Sequence, residues 1–231
     1  NYSSGSSIGG AVSEGSDNDA SGDGAVAVGY DNYATGVGAV GVGYENTANG
    51  QSAVAVGNNN AANTPSSFVS GYYGSSSLYG ERIHSLINTG PATPNGIFAT
   101  ANYVMMQGYI TGNVTGGTAV LTLCDGTSPL SLPAPANTTI YTLEVKITVA
   151  GDGTGYSRSF YQMANITNDS GTITINDTTT LQSFGTSNSS SWTMALTASG
   201  GDVIITVGNG STNNNLTIYA KVSYEPTPLL Y

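Results

Sequence analysis

His84 is the only histidine and Cys124 the only cysteine, so the side chains that most often carry metal or nucleophile chemistry are nearly absent. Imidazole suits transition metals, and in the connector of a threefold assembly three copies of His84 could converge on the axis and hold one. No second His or Cys lies nearby to complete a ligand set. The favoured reading is a histidine hydrogen-bonded within a packed neck, and no cofactor is expected. Cys124 sits in Leu121-Thr-Leu-Cys-Asp-Gly126, where a strand would meet a turn. A lone cysteine cannot close an intrachain disulfide.

Catalytic constellations are also missing. With one His and no Gly-x-Ser-x-Gly elbow, a Ser-His-Asp arrangement has nothing to build on. Two carboxylates from Asp152, Asp169, Asp177 and Asp202 could serve glycoside hydrolysis. Each, however, has Gly, Asn or Ser beside it in a turn-like context, where Asp is common for conformational reasons. The expectation is a protein that is not an enzyme. Aromatic rings offer another chemistry, because a flat ring packs on the C–H face of a pyranose. Trp192 alternates with Met194 and Leu196 and is assigned to the core. Tyr219 falls on the polar face of its strand and Tyr156 in a Gly-rich loop, so these two are the candidate ligand-binding residues.

The charge balance excludes whole classes. Fourteen acidic residues against four basic ones give a formal net charge of −10. Binding nucleic acid or an anionic membrane requires a cationic surface, so both are excluded as partners. No apolar run approaches the length of a membrane span, and no membrane insertion is expected. Asn1-Tyr-Ser-Ser-Gly is not a leader, and Pro226-Thr-Pro-Leu-Leu-Tyr231 is not a membrane anchor. These ends suggest a fragment or processed product.

The first third of the chain repeats every fourteen residues, at 22–35, 36–49 and 50–63, with degenerate copies at 8–21 and 64–77. Val12, Val26, Val40, Val54 and Phe68 share one column, and Gly15, Gly29, Gly43, Gly57 and Gly71 another. Asn18, Asn32, Asn46 and Asn60 form a third column; Ala20, Ala34, Ala48 and Ala62 form a fourth. A short fixed period means a solenoid. Ala-Val-Ala-Val alternates, so a strand would send valines to one face and alanines to the other. Gly and Asn are expected to supply turns. The expected unit is one coil of a β-roll with valines inside and a flat alanine face outside. Two valines are little apolar burial for fourteen ordered residues, so the alanine face is expected to pack against copies of itself in a homotrimer. Two alternatives fit less well. Calcium-binding nonapeptide repeats need period nine and a recurring Asp, yet Asp23 gives way to Val37 and Gln51. Collagen needs Gly at every third residue.

The pattern Ala-x-Gly-x-x-(Ser/Ala)-Val-Ala-Val-Gly over about residues 8–77 resembles the head repeat of the YadA-type trimeric autotransporter adhesins. That resemblance implies a left-handed parallel β-roll in a trimer, a module also used in phage tail fibres. It implies architecture rather than a particular ligand.

From about residue 96 the period disappears and longer alternating runs begin. Residues 139–149 place Tyr141, Leu143, Val145, Ile147 and Val149 on one face; 216–224 do the same with Leu216, Ile218, Ala220, Val222 and Tyr224. Further runs are Trp192 to Ala198, Val203 to Val207 and Ala119 to Leu123, with shorter strands at 173–175 and within 158–167. Asp-Gly, Ser-Gly and Asn-Gly turns separate them, and no helical period is present. The expectation is an all-β chain: a β-roll at 1–77, a neck at 78–96 and a β-sandwich, jelly-roll-like knob at 97–231. In the neck, Glu81 and Arg82 are expected to pair between chains.

The second half also resembles the C-terminal knob of phage tail fibres. Gly80-Glu-Arg-Ile-His-Ser85, Gly96-Ile-Phe98, a Leu-Thr-Leu strand, the Pro- and Asn-Thr-Thr-containing segment 132–139 and Ser190-Ser-Trp192 follow in the family's order. Cys124 at a turn and the insert Ala134-Pro135 depart from it. Together the two resemblances imply a homotrimeric receptor-binding fibre end on a virion, recognising a host cell-surface glycan or protein. A bacterial surface adhesin built from the same modules, or a purely structural fibre, is the alternative. Binding is expected in the loops at 150–156, 185–191 and 208–215, since loops on a rigid scaffold carry recognition.

Overall fold

The computed structural model describes residues 2–3, 10–85, 99–111, 114–132, 139–152, 156–210 and 215–228. The chain is all-β; among the described residues there is no α-helix, only one 3-10 turn at Ser187–Ser189. Two compact units compose it, Asn1–Tyr103 and Val104–Tyr231.

The first unit is a β-solenoid of about five turns. Its strands are β1 (Tyr2–Ser3), β2 (Val12–Ser16), β3 (Asp19–Ala20), β4 (Val26–Tyr30), β5 (Tyr33–Ala34), β6 (Val40–Tyr44), β7 (Thr47–Ala48), β8 (Val54–Asn58), β9 (Ala61–Ala62), β10 (Phe68–Tyr72) and β11 (Arg82–Ser85). From β2 to β9 each coil holds one five-residue and one two-residue strand. The long strands stack in parallel as β2-β4-β6-β8-β10-β11 and the short ones as β1-β3-β5-β7-β9. From β2 and β3 onward, residues fourteen apart are register partners, Val26 with Val40 and Ala34 with Ala48. The ladder continues past residue 77, since Phe68 partners Arg82 and Ser70 partners His84.

The inside and outside of the roll are the reverse of the sequence expectation. Ala25, Ala27, Ala39, Ala53 and Ala55 from the long-strand wall face Ala20, Ala34, Ala48 and Ala62 from the short-strand wall, all 0% exposed. Val26, Val28, Val40, Val42, Val54 and Val56 lie outside and are only half-buried, while Val12 is exposed. Fourteen residues close so narrow a loop that, beside the Asn column, the long-strand wall has room only for a methyl group or nothing; Gly41 stands in the Ala27 column. A valine wall would overpack it.

The Asn column fills the remaining lumen and does not form the turns. Asn18, Asn32, Asn46 and Asn60 are buried. The positive-φ turn positions belong to the residues just before them: Asp17, Asp31, Glu45 and Asn59. Each carboxamide oxygen accepts from the next coil, as Asn18 Oδ1 does from Asn32 N at 3.1 Å and Asn32 Nδ2 at 2.9 Å. Each Nδ2 also donates to carbonyls of its own and the next coil, as Asn32 does to Val28 (3.1 Å) and Gly43 (2.9 Å). The glycine at the end of each long strand is dictated by close approach. Gly43 has φ +122°, and a Cβ there would be driven into the Gly57 carbonyl oxygen.

At the far end the lumen changes composition. The Asn ladder stops at Gly74, whose N–H donates to Asn60 Oδ1 at 2.9 Å, and Val69 and Ile83 occupy the space so released. Ser67 and Glu81 follow Ala25, Ala39 and Ala53 in their column. Glu81 is buried, and its Oε2 accepts from Ser77 N (2.6 Å) and Leu78 N (2.9 Å). Arg82 is exposed, its guanidinium 6.0 Å from the Phe68 ring centroid. The expected interchain Glu81–Arg82 pair is therefore replaced: the carboxylate turns inward to cap its own coil while the cation lies outside.

The second unit takes in most of β12 (Ala99–Ile110), whose first residues run antiparallel to β11, and then β13 (Thr118–Val120), β14 (Thr122–Leu123), β15 (Leu130–Ser131), β16 (Thr139–Gly151), β17 (Ser157–Asp169), β18 (Thr172–Gly185), β19 (Thr193–Ser199), β20 (Asp202–Gly208) and β21 (Leu216–Pro228). One antiparallel sheet runs β18-β17-β16-β21-β12. In the other, β20 pairs with β19 along one edge and with β13 and β15 along the other.

Alternation placed the buried faces of β16 and β21 as expected. Tyr141, Leu143, Val145, Ile147, Leu216, Ile218, Val222 and Tyr224 are all buried, and the Tyr141 and Tyr224 rings meet edge-on at 6.2 Å. Val203, Ile205 and Val207 are buried on β20. Trp192 is core, at 2% exposure, but Met194 and Leu196 are only half-buried and Ala198 is exposed. The short strands expected at 158–167 and 173–175 are halves of one long hairpin, β17–β18, with bulges between Tyr161/Gln162 and Asn165/Ile166. The Gly96-Ile-Phe98 strand, much of the expected 78–96 neck and the insert near Pro135 lie outside the described residues.

Candidate functional site

The loops singled out in the sequence meet at one end of the second unit. Gly151 N donates to Tyr156 O (2.9 Å), and Asp152 N donates to Asn215 O (3.1 Å) while Asn215 Nδ2 donates to Asp152 Oδ2 (2.8 Å). Residues 151–152 and 215 are thus laced together; 153–155 and 211–214 lie outside the described residues. The Ser187–Ser189 turn docks beside them. Ser189 Oγ donates to Ser157 O (2.6 Å), and Arg158 Nη1 donates to Ser189 O (2.9 Å). Gly210 approaches the Ser191 carbonyl too closely to allow a Cβ.

Tyr156 and Tyr219 occupy different settings. Tyr156 is half-buried and stacks on Trp192, ring centroids 6.5 Å apart and planes 17° apart, so one of its faces is already covered. Tyr219 is 52% exposed on the outer face of β21. Its neighbour Tyr109, on β12, is 54% exposed. The Tyr219 phenol raises the pKa of Tyr109, with desolvation and Cys124 adding to the effect. Tyr109 also donates to Gln107 Oε1 at 3.3 Å.

Register places further polar side chains on this face. Lys146 on β16 lies directly opposite Lys221 on β21, and Thr148 opposite Tyr219. On its other side Lys146 faces Tyr161 of β17, its Nζ 4.7 Å from the ring centroid, and Glu144 Oε2 is 3.4 Å away. Along the strands a shallow groove of about 300 Å³ is lined by Thr142, Met163, Asn165, Asp177, Thr179 and Leu181. The bulges at Asn165/Ile166 and Tyr161/Gln162 flank it. Lysine ammonium groups, flat phenol rings, amides and hydroxyls on an open β-face can bind a polar, extended molecule. Tyr219 stood out in the sequence as an outward-facing ring; Tyr109, Lys146 and Lys221 did not, because only cross-strand register brings them to its face.

His84 lies on the outer surface of the solenoid, where its Nδ1 is 3.0 Å from Ser70 Oγ on the preceding coil. Among the described residues no three His, Cys, Asp or Glu side chains cluster as a metal site would require. Asp152 and Asp177 lie on the first sheet, at its loop end and beside the groove; Asp202 bonds to the Ser131 hydroxyl on the second. No helix among the described residues is long and apolar enough to cross a membrane.

A family model of the YadA head domain repeat matches residues 15–32, 20–40 and 34–60. The solenoid carries YadA head repeats. Among curated proteins none matches the chain. Three solved structures are similar to it at low level. The tailspike protein of Acinetobacter baumannii phage AM24 is 6% identical, with a TM-score of 0.29 over 94% of this chain and 57% of that one. A tailspike of Acinetobacter baumannii bacteriophage Fri1, described as a capsular polysaccharide depolymerase, is 12% identical, with a TM-score of 0.31 over 87% and 38%. The tailspike of Acinetobacter phage vB_ApiP_P1 is 13% identical, with a TM-score of 0.30 over 94% and 48%. The chain therefore spans between about a third and three fifths of the length of these tailspikes.

Proposed function

We propose that the chain is the end of a homotrimeric, non-enzymatic fibre that recognises a host cell-surface glycan for a phage or phage-like particle. The observation that carries the reading is the pairing of a YadA-type repeat stack, built to hold something at a distance, with a separate β-unit whose loops gather at one end. We read the two sheets of that unit as a β-sandwich knob, in line with its resemblance to tail-fibre knobs. Trimerisation uses the outward valine columns. Val26, Val28, Val40, Val42, Val54 and Val56 repeat at every coil and are half-buried in a single chain, and three copies would cover them.

Two measurements test this reading. Light scattering of the whole chain should give three copies, and labelled chain should bind host cells saturably and be competed by soluble surface polysaccharide. A stable monomer, or adsorption insensitive to glycan removal, would overturn it. The second reading, a trimeric adhesin on a bacterial surface, draws on the same head-repeat match. Tail genes flanking the coding sequence would favour the virion.

A further inference from the structure

We propose that the corner of the solenoid between Tyr44 and Tyr72 binds one ring of a neutral saccharide, seated in the layer where Asn58 replaces an aromatic side chain. The inference goes beyond the fibre reading: it puts a ligand site on the shaft, and it holds for a virion fibre or a surface adhesin alike.

The first support is a break in an aromatic column. The last residues of the long strands stack in register as Ser16, Tyr30, Tyr44, Asn58 and Tyr72. Tyr30 and Tyr44 fill adjacent layers, their rings 5.1 Å apart and 11° from parallel, and both are exposed. One face of Tyr44 is thus covered by Tyr30, and the other looks toward the Asn58 layer. Tyr72 lies one layer further on, so two strand spacings, roughly 10 Å, separate its backbone from that of Tyr44. An asparagine side chain is shorter than a phenol and does not fill that layer to its rim. A pyranose, a ring with apolar C–H faces, has the shape to do so.

The second support is what surrounds that layer. Tyr73 meets Tyr72 edge-on, ring centroids 4.6 Å apart, and adds a second ring at the far side. It sits at φ 56°, in the left-handed turn position that Asp17, Asp31, Glu45 and Asn59 take in the other coils. That conformation disfavours a bulky side chain, and Asp, Glu and Asn close the same turn, so the turn itself does not call for tyrosine. Polar groups line the same corner. Asn59 Nδ2 donates to Asn58 Oδ1 at 2.8 Å, which holds two carboxamides beside the layer. The Glu45 carboxylate accepts from the Tyr44 phenol and raises its pKa; desolvation and Tyr72 raise that of Tyr73, and Glu45 adds to it. Flat rings with amides and a carboxylate at their rims match the C–H faces and hydroxyls of a sugar. Residues 1–81 hold no Lys or Arg, and Asp31 and Glu45 occupy successive turns, so an acidic sugar is disfavoured. The valines end before this corner. Gly29, Gly43 and Gly57, with φ of 121° to 122°, follow the last valine of their strands, and the site stands at the rim of the proposed trimer face.

The test uses the full chain with dextran, mannan, cellohexaose and an N-acetylglucosamine hexamer as neutral probes, and polygalacturonate as the acidic one. By calorimetry at least one neutral probe should bind saturably, ten times or more tighter than polygalacturonate, with an affinity that salt does not change. Tyr44→Ala and Tyr72→Ala should each weaken that binding at least tenfold, while Tyr44→Phe, which keeps the stacking face, should stay within about threefold of wild type. Asn58→Tyr should complete the aromatic column, keep or raise the melting temperature and still weaken binding at least tenfold, which a merely structural role for these rings would not produce. Tyr33→Ala, which removes an exposed ring on the short-strand wall, should bind as wild type does. The proposal is overturned if no neutral probe binds, if binding weakens as salt rises, or if Tyr44→Ala or Asn58→Tyr binds as wild type does. It is equally overturned if either variant changes the mass seen by light scattering, which would make the corner a contact between copies. Host-cell adsorption that survives Asn58→Tyr while no probe binds the wild-type chain would leave the fibre reading standing as this inference fails.

Discussion

The carboxamides of Asn32 and Asn46, fourteen residues apart in sequence, lie one above the other inside the solenoid. Asn32 Oδ1 accepts from both the backbone N (3.1 Å) and Nδ2 (2.9 Å) of Asn46. Asn46 repeats the arrangement toward Asn60 and also donates to the Val42 and Gly57 carbonyls. Asn46→Ala strips partners from several buried groups at once, each worth about 1–3 kcal/mol when left unmade. A loss of at least about 3 kcal/mol is expected on chemical denaturation. Asn49→Ala, in the exposed ladder joining Thr35, Asn49 and Asn63, should cost within about 0.5 kcal/mol.

Two glycines of the repeat should respond in opposite ways. Gly43→Ala drives a methyl group into the next coil's carbonyl and is expected to abolish cooperative folding of the solenoid by circular dichroism. Gly38 also has positive φ, but its Cβ would meet only Ser52 Oγ, at 3.7 Å, and Ser52 itself carries a side chain at φ 55° one coil later. Gly38→Ala should cost only about 1 kcal/mol.

The reversed wall order separates assembly from folding. Ala55→Leu, inside the lumen, should unfold or strongly destabilise the roll by overpacking, by about 3 kcal/mol or more. Val40→Asp, outside, should keep strand content but prevent the proposed trimerisation, seen as one-third of the wild-type mass by light scattering. Retained trimer in Val40→Asp would show that the valine columns are not the interface.

Acidification should loosen the turn after β14. Burial pushes the Asp125 carboxyl up, but hydrogen bonds from the Ser128 hydroxyl and the Ser128 and Thr127 amides outweigh it, leaving its pKa below the ordinary value. A depressed folded-state pKa means the stabilisation is present above the unfolded value, about 3.9, and is lost as pH falls through the folded one. A carboxyl chemical-shift titration should place the Asp125 midpoint below that value. Ser128→Ala should move it up.

The period, the Gly column and the buried faces of β16 and β21 were legible because each is a local pattern. The wall order was not. Alternation in Ala-Val-Ala-Val separates two faces without saying which is inside, and lumen width decides that only once the loop closes. Asn32 and Asn46 read as turn residues for a similar reason: asparagine suits turns and stacked ladders alike, and the positive φ belongs to Asp31 and Glu45. The far half of β18 has a mostly polar run with no alternation, because residues 176–185 are all exposed. Lys146 and Lys221 are seventy-five positions apart in sequence and adjacent only through register.

Because the Asn ladder repeats the same bonds from one coil to the next, one more fourteen-residue unit inserted between Asn46 and Asn60 would find each donor and acceptor already matched. The Gly74 and Glu81 termination would move along intact. An insertion that is not a whole number of such units would take the Asn and Gly columns out of register. Shaft length can therefore change only in whole steps of roughly 4.8 Å, the spacing of stacked strands. The roll acts as a ruler graduated in coils, able to lengthen or shorten without redesign at either end.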